Sequence, residues 1–231
     1  ALVTGGGSGI GRGTALALAR RGMQVVVTGR RANLLDEVAA EINATGSKAF
    51  AIAADLSVPE ERLHLLDETH LVAGALDLLV NNAGVFLGGE LATLARAEVV
   101  RSVELNLAAA IDLTYLALPD LTARHGSLVL LGSNASFVPL PYATLYSAAK
   151  SGLRAFGESL RYELAGSGVN VLLAYPPDTA TAMTAPMAAA SGMAIYPLAS
   201  PEAVGERIAT AIGQRKREVR WGMRERSLQS L

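Results

Sequence analysis

The chain contains no cysteine, which excludes a disulfide framework, thiolate-held zinc and a cysteine nucleophile while leaving the compartment open. A cytoplasmic location is therefore only the default expectation. Charge of one sign is missing as well: 20 Lys and Arg stand against 21 Asp and Glu, a net charge of −1. No global field draws such a chain to nucleic acid or to an anionic membrane. Aromatic residues are few (one Trp, six Tyr, four Phe) although 51% of the chain is hydrophobic, so the interior must be built from aliphatic side chains and alanine. That composition lies outside disorder, collagen and coiled coil. Two uncharged stretches, 126–149 and 179–201, reach the length of a membrane span, but Pro139 and Pro141 break the first and Pro186, Pro197 and Pro201 the second. Broken backbone cannot satisfy its own hydrogen bonds in lipid, so no transmembrane segment is expected. The chain opens directly on Ala1-Leu2-Val3-Thr4 with no signal peptide and no methionine, and residues preceding Ala1 are expected.

What is present is an alternation of short aliphatic runs and longer amphipathic segments. Strands are expected at Ala1–Thr4, Gln24–Thr28, Ala49–Ala53, Leu76–Val80, Leu128–Leu131, Val169–Ala174 and Glu218–Trp221, with helices at about 10–21, 32–44, 59–72, 97–123, 146–165 and 201–213. Uninterrupted runs such as Val25-Val26-Val27 are those of a parallel strand covered on both faces. The fold class is thus α/β, a doubly wound parallel sheet of about seven strands with helices on both faces. At 231 residues, without repeat or linker, one domain over 1–231 is expected. One interval breaks the pattern. Pro176 to Pro201 is too long for an ordinary connection and reads as a substrate lid at about 177–200 with a short helix near Thr181–Ala190, its Met183, Met187 and Met193 suited to irregular apolar surfaces; a plain exposed insertion is the alternative.

The first turn, Thr4-Gly5-Gly6-Gly7-Ser8-Gly9-Ile10-Gly11, leaves a strand and enters a helical pattern. Glycines let backbone approach a pyrophosphate and the helix start offers free N–H groups, the context of a dinucleotide site. Tyr146 and Lys150 lie four residues apart and share one helix face. A cation beside a phenol lowers its pKa, which would make Tyr146 a workable proton donor and acceptor. Ser133 follows the fifth strand and can hold a carbonyl oxygen; Ser136 is its rival, and Tyr142 the rival phenol, though Tyr142 is followed four residues on by Tyr146 rather than Lys.

The spacing Thr-Gly-x-x-x-Gly-x-Gly, with Asn81-Asn82-Ala83-Gly84 after strand four, Asn106 in the long helix, Ser133 after strand five and Tyr146-Ser147-Ala148-Ala149-Lys150, resembles the short-chain dehydrogenase/reductase family over essentially the whole chain. The resemblance implies a Rossmann fold and hydride transfer between a nicotinamide cofactor and a carbonyl or secondary alcohol. It implies catalytic roles for Asn106, Ser133, Tyr146 and Lys150, with Lys150 also on the nicotinamide ribose and Asn106 supporting a proton-relaying water. Read from the residues, Asn106 could equally satisfy a backbone group. Cofactor contacts carried over are Gly5, Gly7, Ser8, Gly9, Ile10, Gly11, Asp55, Leu56, Asn82, Ala83, Gly84, Pro176, Thr179 and Thr181, besides Tyr146 and Lys150. Asp55 could instead cap the following helix.

Gly29 stands where NAD-preferring relatives carry an aspartate, and Arg30 and Arg31 follow it. A guanidinium binds a 2′-phosphate bidentately, so NADP(H) is expected over NAD(H), the alternative being a solvated turn. The family's Pro-Gly-x-x-x-Thr becomes Pro176-Pro177-Asp178-Thr179-Ala180-Thr181, with proline where glycine is usual. The string from Tyr175 to Thr181 is similar to that of the 3-ketodihydrosphingosine reductase branch, a weaker resemblance. It agrees with an apolar substrate wall of Phe137, Val138, Leu140, Tyr142, Met183 and Met187. A lipophilic carbonyl or alcohol is the expected substrate; 3-ketoacyl or 3-ketosphinganine reduction and a catalytically silent NADP-sensing regulator are the alternatives. No metal is expected. Family members pair the two long helices about a two-fold axis, which implies a homodimer or homotetramer.

Overall fold

The computed structural model describes residues 1–184 and 198–221. Seven strands form one parallel sheet: β1 (Leu2–Thr4), β2 (Val25–Gly29), β3 (Ala49–Ala53), β4 (Leu78–Asn81), β5 (Ser127–Leu131), β6 (Asn170–Tyr175) and β7 (Glu218–Arg220). Their order is β3-β2-β1-β4-β5-β6-β7, so the winding reverses between β1 and β4. Crevices for ligands open at the carboxyl ends of strands at such a reversal. The register is regular, with Val3 beside both Val27 and Val80. Val25, Val26 and Val27 are fully buried, as their unbroken run requires.

Helices α1 (Gly9–Ala19) and α2 (Ala32–Ala44) pack on one face with α7 (Pro201–Gly213); α3 (Pro59–Ala73), α5 (Ala109–Ala123) and α6 (Thr144–Glu163) cover the other. Local chemistry sets their ends. Pro59 opens α3 with Glu60 and Glu61 in its first turn, where carboxylates meet the positive end of the helix. Ser200 caps α7 by accepting the Ala203 N–H at 3.1 Å, and Pro201 follows at the first helical position. Where α1 and α7 cross, a Cβ on Gly205 would stand 2.2 Å from the carbonyl carbon of Gly13. Backbone therefore meets backbone, and only glycine permits it.

Most element bounds shift by one or two residues, and two of the differences are informative. The fourth strand begins at Leu78 because the Leu76 N–H is taken by Asp120 Oδ2 at 2.8 Å. The single helix expected over 97–123 is α4 (Arg96–Val103), a π-helical turn (Glu104–Ala108) and α5. Asn106 Nδ2 donates to the Ser102 carbonyl at 2.9 Å. In an α-helix that carbonyl belongs to the backbone N–H of residue 106, so the side chain competes with the ladder and favours the wider turn. Of the expected lid, residues 177–184 and 198–200 are described, Thr181–Thr184 as a turn; residues 185–190 of the expected short helix, Met187 among them, and Met193 beyond it lie outside the described residues.

Candidate active site

A cleft of about 790 Å³ lies over the β1/β4 reversal. Its floor is the turn into α1. Gly5 and Gly9 take φ values of +64° and +53°, and a Cβ on Gly11 would stand 2.2 Å from the Gly5 carbonyl oxygen, so the turn can close only with glycine there. Ser8, the residue before α1, makes no side-chain cap bond, which leaves the first N–H groups of the helix facing the cleft as an anion site. Thr4 ties the floor to its neighbour: its Oγ1 donates to the Val80 carbonyl and accepts the N–H groups of Asn82 and Ala83, each at 2.9 Å. Asn82 Nδ2 donates to Thr4 O at 2.8 Å. Asn82 thus pins β1 to the loop after β4.

At one end the cleft is lined by Gly29, Arg30, Arg31, Asp55 and Leu56. Arg31 donates to Ser8 Oγ at 2.9 Å, joining the guanidinium to the glycine turn. Asp55 does not cap α3, whose N-cap is Val58. Its carboxylate accepts from the Ser57 N–H and hydroxyl and from Arg101 at 2.5 Å. Although burial opposes it, those Ser57 bonds and the Arg101 and Arg30 charges hold the Asp55 pKa below the usual carboxylate value.

The other end holds Tyr146 and Lys150 on the first turns of α6. Tyr146 stands beside Ser133, whose Oγ accepts the Ala135 N–H at 3.2 Å, and the tyrosine ring meets Phe86 edge-on, centroids 5.4 Å apart. Ser136 is turned away: its buried hydroxyl donates to the Lys150 carbonyl at 3.0 Å. Tyr142, at φ +57°, is an exposed side chain whose carbonyl accepts the Gly89 N–H at 2.7 Å. Lys150 is buried, with Nζ donating to the Leu131 carbonyl at 2.7 Å and standing 5.7 Å from the Tyr146 ring centroid.

The electrostatics correct one expectation. Burial raises the Tyr146 pKa; the neighbouring Ser133 side chain opposes this, the nearby Asp178 charge reinforces it, and Lys150 does not reverse it. Lys150 itself is lowered to about 8 by burial. The physical reason is that desolvation penalises both charged forms, and the ammonium is directed at the Leu131 carbonyl rather than at the phenol oxygen.

The remaining expected residues divide. Gly5, Gly7, Ser8, Gly9, Ile10, Asn82, Ala83, Gly84, Pro176, Thr181 and Met183 line the cleft. Thr181 lies over Gly9. Thr179 is buried, its Oγ1 donating to the Pro177 carbonyl at 2.7 Å, and it does not line the cleft. Asn106 lies behind the wall, where Oδ1 accepts the Val85 N–H at 3.0 Å and Nδ2 donates to the Val85 carbonyl at 2.8 Å. Its amide satisfies a backbone segment. Phe137 does not face the cleft: its ring packs against Tyr175 and lies under the guanidinium groups of Arg154 and Arg220. Val138, Leu140 and Tyr142 are exposed outside the lining. Val85, Phe86, Gly88 and Leu105 also form the wall and went unread, although Phe86 lies only two residues beyond Asn81-Asn82-Ala83-Gly84.

The glycine floor, the uncapped start of α1 and the guanidinium end together fit a dinucleotide lying across the switch point, with an ionisable pair where its reactive ring would end. Fold and site therefore define a dinucleotide-dependent oxidoreductase. The short chain dehydrogenase family model matches residues 1–192, and the chain belongs to that family. It is 32% identical over 220 residues to the ketoacyl reductase HetN of Nostoc sp., covering 94% of this chain and 76% of that one. It is 34% identical over 185 residues to the 3-dehydrosphinganine reductase TSC10B of Arabidopsis thaliana, covering 78% of this chain but 55% of the relative. Among solved structures, actinorhodin polyketide ketoreductase with NADPH superposes at a TM-score of 0.87 with 28% identity, covering 94% and 92% of the two chains. A metagenomic short-chain oxidoreductase in complex with NADP gives 0.81 with 30% identity, covering 95% and 94%. Among the described residues no helix is long and apolar enough to cross a membrane.

Proposed function

We propose that the chain is an NADP(H)-dependent reductase of a lipophilic ketone, running equally as dehydrogenase of the corresponding secondary alcohol. The observation that carries this reading is Tyr146 with Lys150 at the apolar end of a cleft whose other end holds Arg30 and Arg31. When bound, the nicotinamide ring supplies or accepts the hydride. The chain's own residues do the rest. Ser133 and Tyr146 hold the carbonyl oxygen from one side, and Tyr146 hands it a proton as negative charge develops there. Lys150, anchored by Leu131, holds the ribose hydroxyls and replenishes the phenol. Asn106 acts by fixing Val85 in the wall. Phe86, Val85, Leu105 and Met183 exclude water and favour an apolar substituent. NADPH oxidation with 3-ketosphinganine, ketosteroids, 3-ketoacyl thioesters and small aldehydes tests the proposal; turnover of none of them sinks it. The relatives' ketoacyl and dehydrosphinganine reductase names support the two narrower substrate readings. The regulator reading would be met by NADPH binding without turnover of any ketone.

Arg30, Arg31 and Ser8 form the set that would receive a 2′-phosphate, which an aspartate at this turn would repel. Arg30→Asp is expected to move the NADP-over-NAD preference by about 1 to 3 kcal/mol, roughly 5- to 150-fold in the ratio of kcat/KM. Equal use of both cofactors by the unaltered protein would show Arg30 to be a surface turn.

We also propose a symmetric homodimer. Val100, Val103 and Tyr115 are exposed on α4 and α5, and Tyr162 on α6, an apolar excess that a partner copy would cover. The alternative cover is the chain's own segment from Trp221 to Leu231, of which Trp221 lies under the Arg207 guanidinium beside the α1/α7 core and residues 222–231 lie outside the described residues. Light scattering during gel filtration at micromolar concentration is expected to give twice the 23.9 kDa chain mass; a monomer mass throughout would overturn the dimer.

A further inference from the structure

Arg62, on α3, is the most deeply buried arginine of the described residues, 3% exposed. It lies outside the cleft lining, yet its guanidinium joins the first residue of the π-helical turn that carries Asn106 to the first turn of α5 beyond it. Nη2 donates to Glu104 Oε1 at 2.9 Å, and Nε stands 2.9 Å from Asp112 Oδ2 as an ion pair without hydrogen-bond alignment. Nη1 has no hydrogen-bond partner among the described residues, so the two carboxylates alone orient the group.

The spacing explains the bridge. Residues eight apart in an unbroken α-helix point about 80° away from each other. One residue absorbed by a π-turn makes them equivalent to residues seven apart, about 20° from alignment. Glu104 and Asp112 are therefore aligned more closely while the turn is π-helical, and a planar guanidinium that grips both favours that register. The register in turn sets Asn106, which holds both backbone groups of Val85; the next residue, Phe86, packs edge-on to Tyr146.

We propose that Arg62 is a positioning residue: by clamping Glu104 to Asp112 across the π-turn it sets Asn106 and, through it, the Val85–Phe86 wall beside Tyr146. The kinetic part of this proposal rests on the reductase reading above, whereas the clamp itself does not.

Hydrogen exchange and steady-state kinetics of the full chain test it with Arg62→Met and Arg62→Lys. In both variants the Val85 amide, released from Asn106, is expected to exchange at least about tenfold faster while that of Leu79 in β4 is unchanged. A misplaced wall is expected to lower kcat by about 10- to 100-fold, with the KM for NADPH within about threefold because the glycine floor and the guanidinium end are untouched. The lysine variant keeps a buried cation able to reach one carboxylate, so it is expected to regain thermal stability without regaining kcat or Val85 protection. If Arg62→Met does not fold, Arg62→Lys carries the test. Unchanged Val85 exchange overturns the clamp, as does full recovery of protection and kcat by lysine. Should the unaltered protein reduce no ketone, the reductase reading fails and Val85 exchange still decides the clamp.

Discussion

Tyr146→Phe is expected to lower turnover by about 10³-fold, near the middle of the range that general acid–base groups supply. The substitution removes one oxygen and little else. The ring keeps its edge-on contact with Phe86 and its place on the first turn of α6, so the cleft keeps its shape and the fold its packing. NADPH affinity is expected to stay within about threefold, since the glycine turn and the Arg30–Arg31 end supply the charge-assisted contacts. The raised Tyr146 pKa fits the donor role. A phenol that keeps its proton at neutral pH is charged for delivery when the carbonyl oxygen gains negative character, and Ser133 is placed to stabilise it once the proton has gone. Stopped-flow fluorescence for NADPH binding and steady-state absorbance for turnover separate the two quantities. More than about a tenth of the parent kcat in the phenylalanine variant would move the proton donor elsewhere.

The strands were legible because a parallel sheet covered on both faces must use unbroken aliphatic runs, and Val25 to Val27 can be little else. Boundaries moved where a side chain outbid the ladder, as when Asp120 takes the Leu76 N–H. The π-turn at Glu104–Ala108 was illegible for the same reason on a larger scale: the Leu and Ala pattern runs on through it, and the cause lies in Asn106 reaching two backbone segments, one of them 21 residues away. Arg62 left no signal at all. An arginine in an α3 pattern reads as a solvated face, and its burial depends on carboxylates 42 and 50 residues on. The placement of the glycine turn, Tyr146 and Lys150 in one cleft was readable because each depends on spacing within one element. Phe137 was misplaced because hydrophobicity near a site does not say which way a ring turns; Tyr175 claims it from behind.

Lys150→Met is expected to abolish turnover and, in the same variant, to reveal the energetic strain the lysine places on the fold. Lys150 is 5% exposed with its pKa lowered to about 8 from 10.5, so the folded protein binds that proton less tightly than the unfolded chain does. Below pH 8 both states hold the proton and the folded state carries the whole cost of the buried ammonium, on the order of 3 kcal/mol for a shift of this size. Between about pH 8 and 10.5 the folded state has shed its proton while the unfolded chain retains it; unfolding then takes up a proton, and stability rises with pH. Methionine fills a similar volume without charge, but it leaves the Leu131 carbonyl, now bonded to Nζ at 2.7 Å, without its donor, a loss of about 1 to 3 kcal/mol. The two costs nearly cancel at pH 7, where the variant is expected to match the parent within about 2 kcal/mol. By pH 10 the parent is expected to have gained about 2.5 kcal/mol on the variant and to be level with it or ahead by up to about 2 kcal/mol, because its folded lysine is neutral and keeps the carbonyl bond while the unfolded lysine is still largely protonated. Every other titrating group is common to the two proteins and drops out of the difference, so urea titrations of both at pH 7 and pH 10 isolate Lys150. A parent-minus-variant difference that does not change between those pH values would show that the amine titrates near its ordinary value, and that burial beside Leu131 does not hold it ready to give up a proton near neutral pH.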